Sequence, residues 1–591
     1  MSNKKGEAPM KVAEGIVKFL EEIGVKKCFM VCGGMAAHLN EAISRSTKIS
    51  VSYVLHEQAA VFAAEGYIKA SGFKEIATAC VTSGPGVTNT VTALTAAYGD
   101  SVPIIVLAGQ VKTGDINTKG LRSYGVQEVP SIDIVRPVCK KSYTIGRDFL
   151  HQMEEAYLTA VSGRKGPVFI EVPLDIQSME AGDETMYNVS CIRQVTEKLF
   201  SWEQLDELIA KSDRGVVFIG NGCKIARVER QVIEYCHKRG IPYACTWASF
   251  DCAEYNDPLF IGCPGIMAPP GANQIIQSCD LLVCLGTRLD LATTAYSVSG
   301  FGRQANRYII DIDSTELSKF DGLERYTCIE ADLEGLRTLN CSLNEEGHEP
   351  CRSSKQWLEE VAYLKRRDHE LEAELVSRSC FDKKLSSIGI ASVISELNFE
   401  KCVVPASSGR AEEILTRFFK SSESSTFFNS ACLGSMGAGL ANAIGADQYL
   451  MGSSVVICCE GDGGLMMNLQ ELWTARQYAN RLIILVLNNN GYESIRMSQT
   501  GAFGKSFGCN DTNGLPGYDL KKIAMAANIP YLCIDNLERL KAEIKLFHAN
   551  NDNILFLDCQ VEDSETGPRL KNFKDKHGRI KSEPLECLSW S

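Results

Sequence analysis

The stretch at residues 458–495, CCEGDGGLMMNLQELWTARQYANRLIILVLNNNGYESI, decides the architecture of the chain. It continues the apolar run Val455-Val456-Ile457-Cys458-Cys459, which reads as a strand buried on both faces. An acidic, glycine-rich turn follows, Glu460-Gly461-Asp462-Gly463-Gly464, and then a helical stretch with apolar Leu465, Leu469, Leu472 and Trp473. A second strand-like run, 482–487, stops abruptly at Asn488-Asn489-Asn490-Gly491. This is one βαβ unit with polar residues at the carboxyl ends of both strands, the edge of a parallel sheet where ligands bind. Asp462 offers a hard anionic oxygen and Asn489 a neutral amide oxygen. Both suit Mg²⁺ or Ca²⁺, which take oxygen ligands and share them with a diphosphate. Gly461, Gly463 and Gly464 let a phosphate approach the backbone and its N–H groups. An Asp-Gly turn followed by an Asn-rich loop gives similar short motifs by chance. The strand before each ligand and the helix between them make the combination more specific.

The 591 residues exceed what one core can organise and suggest about three to four domains. A charged fraction of 23% and a hydrophobic fraction of 45% describe a soluble globular protein. The net charge of −12, with no basic stripe, argues against a nucleic-acid partner. No apolar run approaches the ~20 residues of a membrane span, so no membrane partner is expected. The opening residues, Met-Ser-Asn-Lys-Lys-Gly-Glu, lack the apolar core of a signal peptide, and a cytoplasmic location is expected. The 24 cysteines are scattered, with Cys28/Cys32 and Cys458/Cys459 the closest. They read as reduced, buried small hydrophobes, since no four-ligand spacing for zinc or an iron–sulfur cluster appears.

Alternating strand and helix signals divide the chain into three doubly wound, parallel-sheet α/β domains. Residues 8–190 form the first. It has a helix over 12–24 and strands at 27–31, 51–55, 76–81 and 102–108, with a small-residue helix over 59–71. The strand at 51–55 delivers His56-Glu57-Gln58. A carboxylate there, among Val54, Leu55, Ala60 and Val61, is either partly desolvated or an ordinary helix-start acid. The polar stretch 177–190 reads as a linker. Residues 195–345 form a central domain, with strands at 215–220, 281–285 and 307–312. Residues 346–375 are highly charged and suggest a solvated connecting helix. Residues 380–560 form the third domain, in which the strand at 402–406 leads to Ser407-Ser408-Gly409-Arg410. Arg410 either reaches a phosphate or sits in a surface ion pair. Residues 561–591 form a polar tail that either folds over the active site or is mobile.

Gly461-Asp462-Gly463 with Asn488-Asn489 resembles the diphosphate-anchoring motif of thiamine-diphosphate (ThDP) enzymes. His56-Glu57-Gln58-Ala59-Ala60 with Ala64-Glu65-Gly66-Tyr67 resembles the N-terminal signature of those of the acetolactate synthase type. The likeness continues through Thr82–Asn89 (TSGPGVTN), Asp100-Ser101-Val102-Pro103, Gly109-Gln110-Val111 and Gln127-Glu128. The resemblance implies a pyrimidine-binding, a central and a diphosphate-binding domain. Asp462, Asn489 and the Gly491 carbonyl would hold Mg²⁺, and Glu57 would hydrogen-bond the pyrimidine ring and drive it to its imino form. Gly33, Gly34 and Gln110 would line the pocket of the reacting carbon. Leu433-Gly434-Ser435-Met436-Gly437 would carry the bulky residue, Met436, that wedges the cofactor into a bent shape. On composition alone Met436 is a core gap-filler. The two half-sites would meet across a subunit interface, which implies a homodimer or homotetramer.

The implied reaction is decarboxylation of a 2-keto acid, with pyruvate the expected donor, coupled to carbon–carbon bond formation. Pyruvate decarboxylases carry a His-His pair, and no histidines are adjacent here, yet a non-ligating decarboxylase stays open. The segment Ser408–Glu413 (SGRAEE) lacks the family's usual Gln-His-Gln. That departure resembles carboligases that add a two-carbon unit to a ketosugar in polysaccharide biosynthesis. A catalytically idle subunit of the same fold is disfavoured by the presence of Glu57, Asp462 and Asn489. The family's central domain binds FAD in acetolactate synthases. Here Leu289-Asp290-Leu291-Ala292-Thr293-Thr294 departs from the family's charged run, which leaves either FAD or an empty structural domain.

Overall fold

The computed structural model describes residues 9–182, 198–338, 353–381 and 385–562, and beyond them 567–568, 570, 572–574, 576, 578 and 580–588. The opening residues Met1–Glu7, most of the 177–190 linker, the end of the central domain and Trp590 lie outside the described residues. Three parallel sheets carry the fold. The first contains β1 (Lys27–Met30), β2 (Ser50–Tyr53), β3 (Thr78–Val81), β4 (Ile105–Gln110), β5 (Lys141–Thr144) and β6 (Val168–Pro173), in the order β2-β1-β3-β4-β6-β5. The second contains β7 (Gly215–Ile219), β8 (Tyr243–Cys245), β9 (Leu281–Leu285), β10 (Asn306–Asp311) and β11 (Tyr326–Glu330), in the order β11-β10-β9-β7-β8. The third contains β12 (Lys401–Pro405), β13 (Ser425–Phe427), β14 (Val455–Gly461), β15 (Leu482–Asn488), β16 (Tyr531–Ile534) and β17 (Ile554–Gln560), in the order β13-β12-β14-β15-β17-β16. Counted from its own first strand, the third sheet repeats the strand order of the first, a duplication that residue-level comparison does not reveal.

The third sheet contributes to two cores that extend into other domains. Val456 and Cys458 of β14 face a core shared with the first domain, which also contains Ala60, Phe62 and Ala64. Val455, Ile457 and Cys459 face the opposite way, into a core continuous with Val217, Val283 and Leu285 of the central domain. Strands buried on both faces must read as unbroken apolar runs, which is why 455–459 and 482–487 lack alternation. The edge strands β2 and β5 are partly exposed and leave a weaker pattern.

Two helices lock the first and third domains together, Glu57–Ala70 and Ala438–Leu450. A Cβ placed on Gly66 would lie 2.1 Å from the Asn442 carbonyl oxygen, and one on Gly445 would lie 1.9 Å from that of Ala63. The two backbones are therefore in direct contact, and Ala59, Ala60, Ala63, Ala441 and Ala443 fill the remaining space. A buried ionic cluster closes the same interface. Lys69 Nζ donates to Glu65 (2.6 Å), Asp100 (2.7 Å) and the Asn429 carbonyl (2.7 Å), and Ser430 Oγ donates to Glu65 (2.8 Å).

Two expectations are corrected. The charged segment forms the helix Lys355–Phe381, but it is not simply solvated. Trp357, Val361, Leu364 and Leu375 are buried, and Asp368 and Glu372 are buried with partners, Asp368 accepting from Gly271 N and Glu372 from the Tyr255 hydroxyl. The described tail residues 585–586 also have a fixed seat, on the central domain. Leu585 enters that domain's core, its carbonyl accepts from Asn273, and Glu586 pairs with Arg303. Among the described residues no helix is long and apolar enough to cross a membrane. No described cysteine is disulfide-bonded.

The helix crossing yields a stability prediction. Gly445→Ala should destabilise the protein by about 3 kcal/mol, because the added methyl meets backbone that cannot rotate away. Gly114→Ala, where a Cβ meets nothing within 4 Å, should stay within about 0.5 kcal/mol of wild type in the same denaturant titration.

Candidate active site

Strands β14 and β15 are neighbours, with Gly461 opposite Leu487, so their carboxyl ends bring the turn at Asp462 and the loop at Asn489 side by side. Asp462 is fully buried. Its Oδ2 accepts from Gly491 N (2.6 Å) and from the Tyr518 hydroxyl (2.8 Å). Asn489 is turned the complementary way, its Nδ2 donating to Glu493 (2.9 Å). Each residue keeps one oxygen over. Asp462 Oδ1 and Asn489 Oδ1 are both buried and accept no hydrogen bond. Orphaned oxygens at adjacent strand ends cost free energy unless a cation or donor meets them. Burial pushes the Asp462 carboxyl above the usual aspartate range, against the pull of its hydrogen-bond donors.

The glycines around them are tightly placed. Gly491 has φ +118°, and a Cβ there would lie 2.0 Å from the Cys509 carbonyl oxygen. Its own carbonyl faces the turn, 3.7 Å from where a Cβ on Gly463 would stand. A Cβ on Gly463 would strike the Tyr492 ring at 2.4 Å, and one on Gly464 would strike the Glu460 carboxylate at 2.6 Å. Gly461 has open space around it. This donor set, one carboxylate, one amide oxygen and a nearby carbonyl beside exposed glycine backbone, fits a divalent cation holding a diphosphate.

The neighbouring segment carries Gly434 (φ +66°) and a half-buried Met436 ahead of the Ala438–Leu450 helix. Glu460 lies fully buried beneath that helix's first turn. The N–H groups of Gly439, Leu440 and Gly461 favour its charged form without reaching hydrogen-bond geometry, and burial outweighs them, holding the carboxyl at about 7.

Glu57 opens its helix after β2 and is half-buried. Its Oε2 accepts from Asn89 Nδ2 at 3.0 Å. Gly33 faces Thr82, where a Cβ would sit 2.4 Å from the Thr82 Cβ, so the ends of β1 and β3 form the floor beside it. Gly34 is exposed in the following turn. Gln110 is different. It is 1% exposed, and its amide donates to Glu171, Ser131 and the Val129 carbonyl, so its side chain is engaged inside the first domain. Arg410 is also buried, 3.7 Å from Glu413 in an ion pair that is internal rather than on the surface. Sequence reasoning missed Tyr518 and Asn89. Tyr518 lies far along the chain in a loop with no motif, whereas Asn89 ends the quoted TSGPGVTN run.

Within one chain the first and third domains touch close to both half-sites. Leu55 N donates to Glu471 and Tyr53 N to the Tyr478 hydroxyl. Yet no hydrogen bond or ion pair among the described residues joins Glu57 to Asp462 or Asn489. Leu55 and Trp473 nearby are 58% and 44% exposed, an apolar rim at the edge of each half-site.

A separate cavity of about 1010 Å³ opens at the carboxyl ends of β7, β9 and β10. Asn221, Thr287, Arg288, Asp311 and Lys319 line it, together with Arg164 from the first domain. The β7 and β9 loops meet backbone to backbone there, a Cβ on Gly220 falling 2.1 Å from the Gly286 carbonyl oxygen. Burial raises the Asp311 carboxyl to about 6.

Three family models match the chain. They are the N-terminal TPP binding domain of thiamine pyrophosphate enzymes over residues 10–132, the central domain over 202–327 and the C-terminal TPP binding domain over 407–559. The chain is 30% identical over 555 residues to acetolactate synthase 2, chloroplastic, of Nicotiana tabacum, covering 91% of this chain and 80% of that protein. It is 31% identical over 490 residues to acetolactate synthase 3, chloroplastic, of Brassica napus, covering 82% and 72%. It is 28% identical over 608 residues to a probable acetolactate synthase large subunit of Methanococcus aeolicus, covering 98% of each.

Two outcomes follow from this geometry. Tyr518→Phe removes a hydrogen bond that orients Asp462 and should weaken Mn²⁺ binding, read by electron paramagnetic resonance, by about tenfold. For Glu460 the folded-state pKa lies above the unfolded one, so its contribution to stability is lost as pH rises from about 4.5 to about 7. Glu460→Gln should therefore flatten the loss of stability between pH 5 and 8 in the cofactor-free protein, by at most about 3 kcal/mol in urea titrations.

Proposed function

Because the chain belongs to the thiamine pyrophosphate enzymes and is an enzyme of the acetolactate synthase-like carboligase kind, we propose that it decarboxylates pyruvate and transfers the two-carbon fragment to a second carbonyl compound. One observation carries this reading: the paired orphan oxygens of Asp462 and Asn489 beside the glycine turn. When bound, ThDP supplies the carbanion chemistry at its thiazolium carbon. Asp462 Oδ1, Asn489 Oδ1 and the Gly491 carbonyl would hold Mg²⁺, while the backbone of Gly463 and Gly464 would face the diphosphate. Glu57 would hold a proton at the pyrimidine nitrogen. Leu433 and Met436 would exclude water from the reacting carbon, which favours loss of the carboxylate. Gly33 would border the same pocket.

The reading includes a homodimer, with Glu57 of one protomer serving the cofactor held by the partner's diphosphate domain. The exposed apolar rim at Leu55 and Trp473 supports it. We read the central cavity as a nucleotide site able to take FAD. Its volume suits a ligand of that size. Its place at a strand-order reversal, with an acidic residue at the end of β10 for a ribose, suits the chemistry.

The test is incubation of the purified protein with ThDP, Mg²⁺ and pyruvate, alone and with aldehyde, 2-keto acid and ketosugar acceptors, followed by product identification. Acetolactate or another ligated product is expected. Acetaldehyde as the sole product from every mixture would refute the ligase reading. Glu57→Gln should bind ThDP yet lose at least about 100-fold in turnover. A flavin band in the visible spectrum of the purified protein is expected, and its absence after reconstitution with FAD would refute the flavin assignment.

A further inference from the structure

Glu57 presents its two carboxyl oxygens to different surroundings. Oε2 accepts the amide hydrogen of Asn89 Nδ2 at 3.0 Å. Oε1 faces the glycine turn, 3.7 Å from where a Cβ on Gly86 would stand, and has no hydrogen-bond partner among the described residues. Asn89 is held in turn. It ends the short helix Pro85–Thr88, its N–H bonded to the Pro85 carbonyl, and that helix starts at Gly84 with φ +63°. The backbone therefore fixes where the amide points.

An amide N–H can only donate. The carbonyl oxygen of a neutral carboxyl is a better acceptor than its hydroxyl oxygen, so a donor at Oε2 favours the hydrogen on Oε1. We infer that Asn89 is a positioning residue that confines the exchangeable proton of Glu57 to Oε1, the oxygen left open for the cofactor ring. The inference rests on the assignment of Glu57 to the pyrimidine. A proton leaving Oε1 for a ring nitrogen would leave Glu57 a carboxylate. The negative charge that appears on Glu57 strengthens the Asn89 hydrogen bond as the transfer proceeds. Other groups near this turn are accounted for. His56 Nδ1 accepts from Gln58 N, and the Glu471 carboxylate accepts from Leu55 N. The start of the Glu57–Ala70 helix adds its dipole, which favours the carboxylate. Among the described residues Asn89 is the side chain that donates to Glu57.

The alternative is that Asn89 only ties the turn to the helix. The two differ in proton linkage. Without its amide donor the carboxylate is less stabilised and keeps its proton to higher pH, so proton uptake on ThDP binding should begin at higher pH. Isothermal titration of wild type, Asn89→Ala and Asn89→Asp with ThDP and Mg²⁺, in buffers of different ionisation heat from pH 5 to 8.5, measures that uptake. Titration of the cofactor's own phosphate is common to all and cancels. The onset should move up by about one pH unit in Asn89→Ala, and further in Asn89→Asp, where a like charge replaces the donor. Superimposable onsets in wild type and both variants, whatever their thermal stability, would overturn the inference. Should Asn89→Ala not fold, the isosteric Asn89→Asp decides alone. Glu57→Gln separates the two layers of argument. Unchanged uptake in that variant would mean Glu57 does not meet the ring, which removes the premise. Lost uptake there with unmoved onsets in the Asn89 variants would reject the positioning role alone.

Discussion

The backbone contact between the Glu57–Ala70 and Ala438–Leu450 helices is the constraint on which the rest of the structure depends. Gly66 and Gly445 leave no side chain between the helices, so carbonyl oxygens of each lie where a Cβ of the other would be. That closeness fixes two segments of the candidate site at once. One helix begins at Glu57, and the other begins two residues after Met436. Dispersion and apolar burial across an alanine-lined interface are insensitive to direction. The Lys69–Glu65–Asp100 cluster supplies the direction, because a buried ammonium with three acceptors tolerates little sliding.

The third sheet explains why the Asp462 turn and the Asn489 loop are held in place. Its faces are covered by helices of its own domain, Ala438–Leu450 on one side and Gly409–Phe418 on the other, and through them it shares cores with the first and central domains. Its loops therefore emerge from strands that cannot shift independently. Asp462 and Asn489 inherit that stiffness, and their hydrogen bonds to Tyr518, Gly491 and Glu493 turn one oxygen of each toward protein and leave the other open. A cation meeting these two oxygens would require little reorganisation of the loops. The three sheets share a further feature. Each brings two loops together where the strand order reverses, at Gly33 and Thr82, at Gly220 and Gly286, and at Ser407 and Asp462.

Sequence patterns were most informative for interior strands and glycine turns. The runs at 455–459 and 482–487 and the turn at Asp462 were legible because burial on both faces and close backbone approach each leave a compositional mark. The edge strands β5 and β8 left little trace. The helix expected from Leu465 to Trp473 is broken into Asp462–Leu465, a 3₁₀ turn at Met466–Asn468 and Glu471–Tyr478, because Asn468 donates to the Gly437 carbonyl and pins the turn. The charged segment 346–375 misled for a related reason. Periodicity counts charges but not their partners, and Asp368 and Glu372 are buried against Gly271 N and the Tyr255 hydroxyl.

By itself the sequence determined the three parallel α/β units and the chemistry available at their carboxyl edges, since alternation, apolar runs and glycine placement are local consequences of strand and turn geometry. Only the tertiary structure decided which oxygens of Asp462 and Asn489 stay open, that Gln110 and Arg410 turn inward, that Asn89 holds one oxygen of Glu57, and that Leu585 docks on the central domain. These are choices of orientation. A side chain's direction depends on which distant residue offers a donor or a space, and such pairs, Asp462 with Tyr518 or Asn273 with Leu585, are far apart along the chain and leave no local signature.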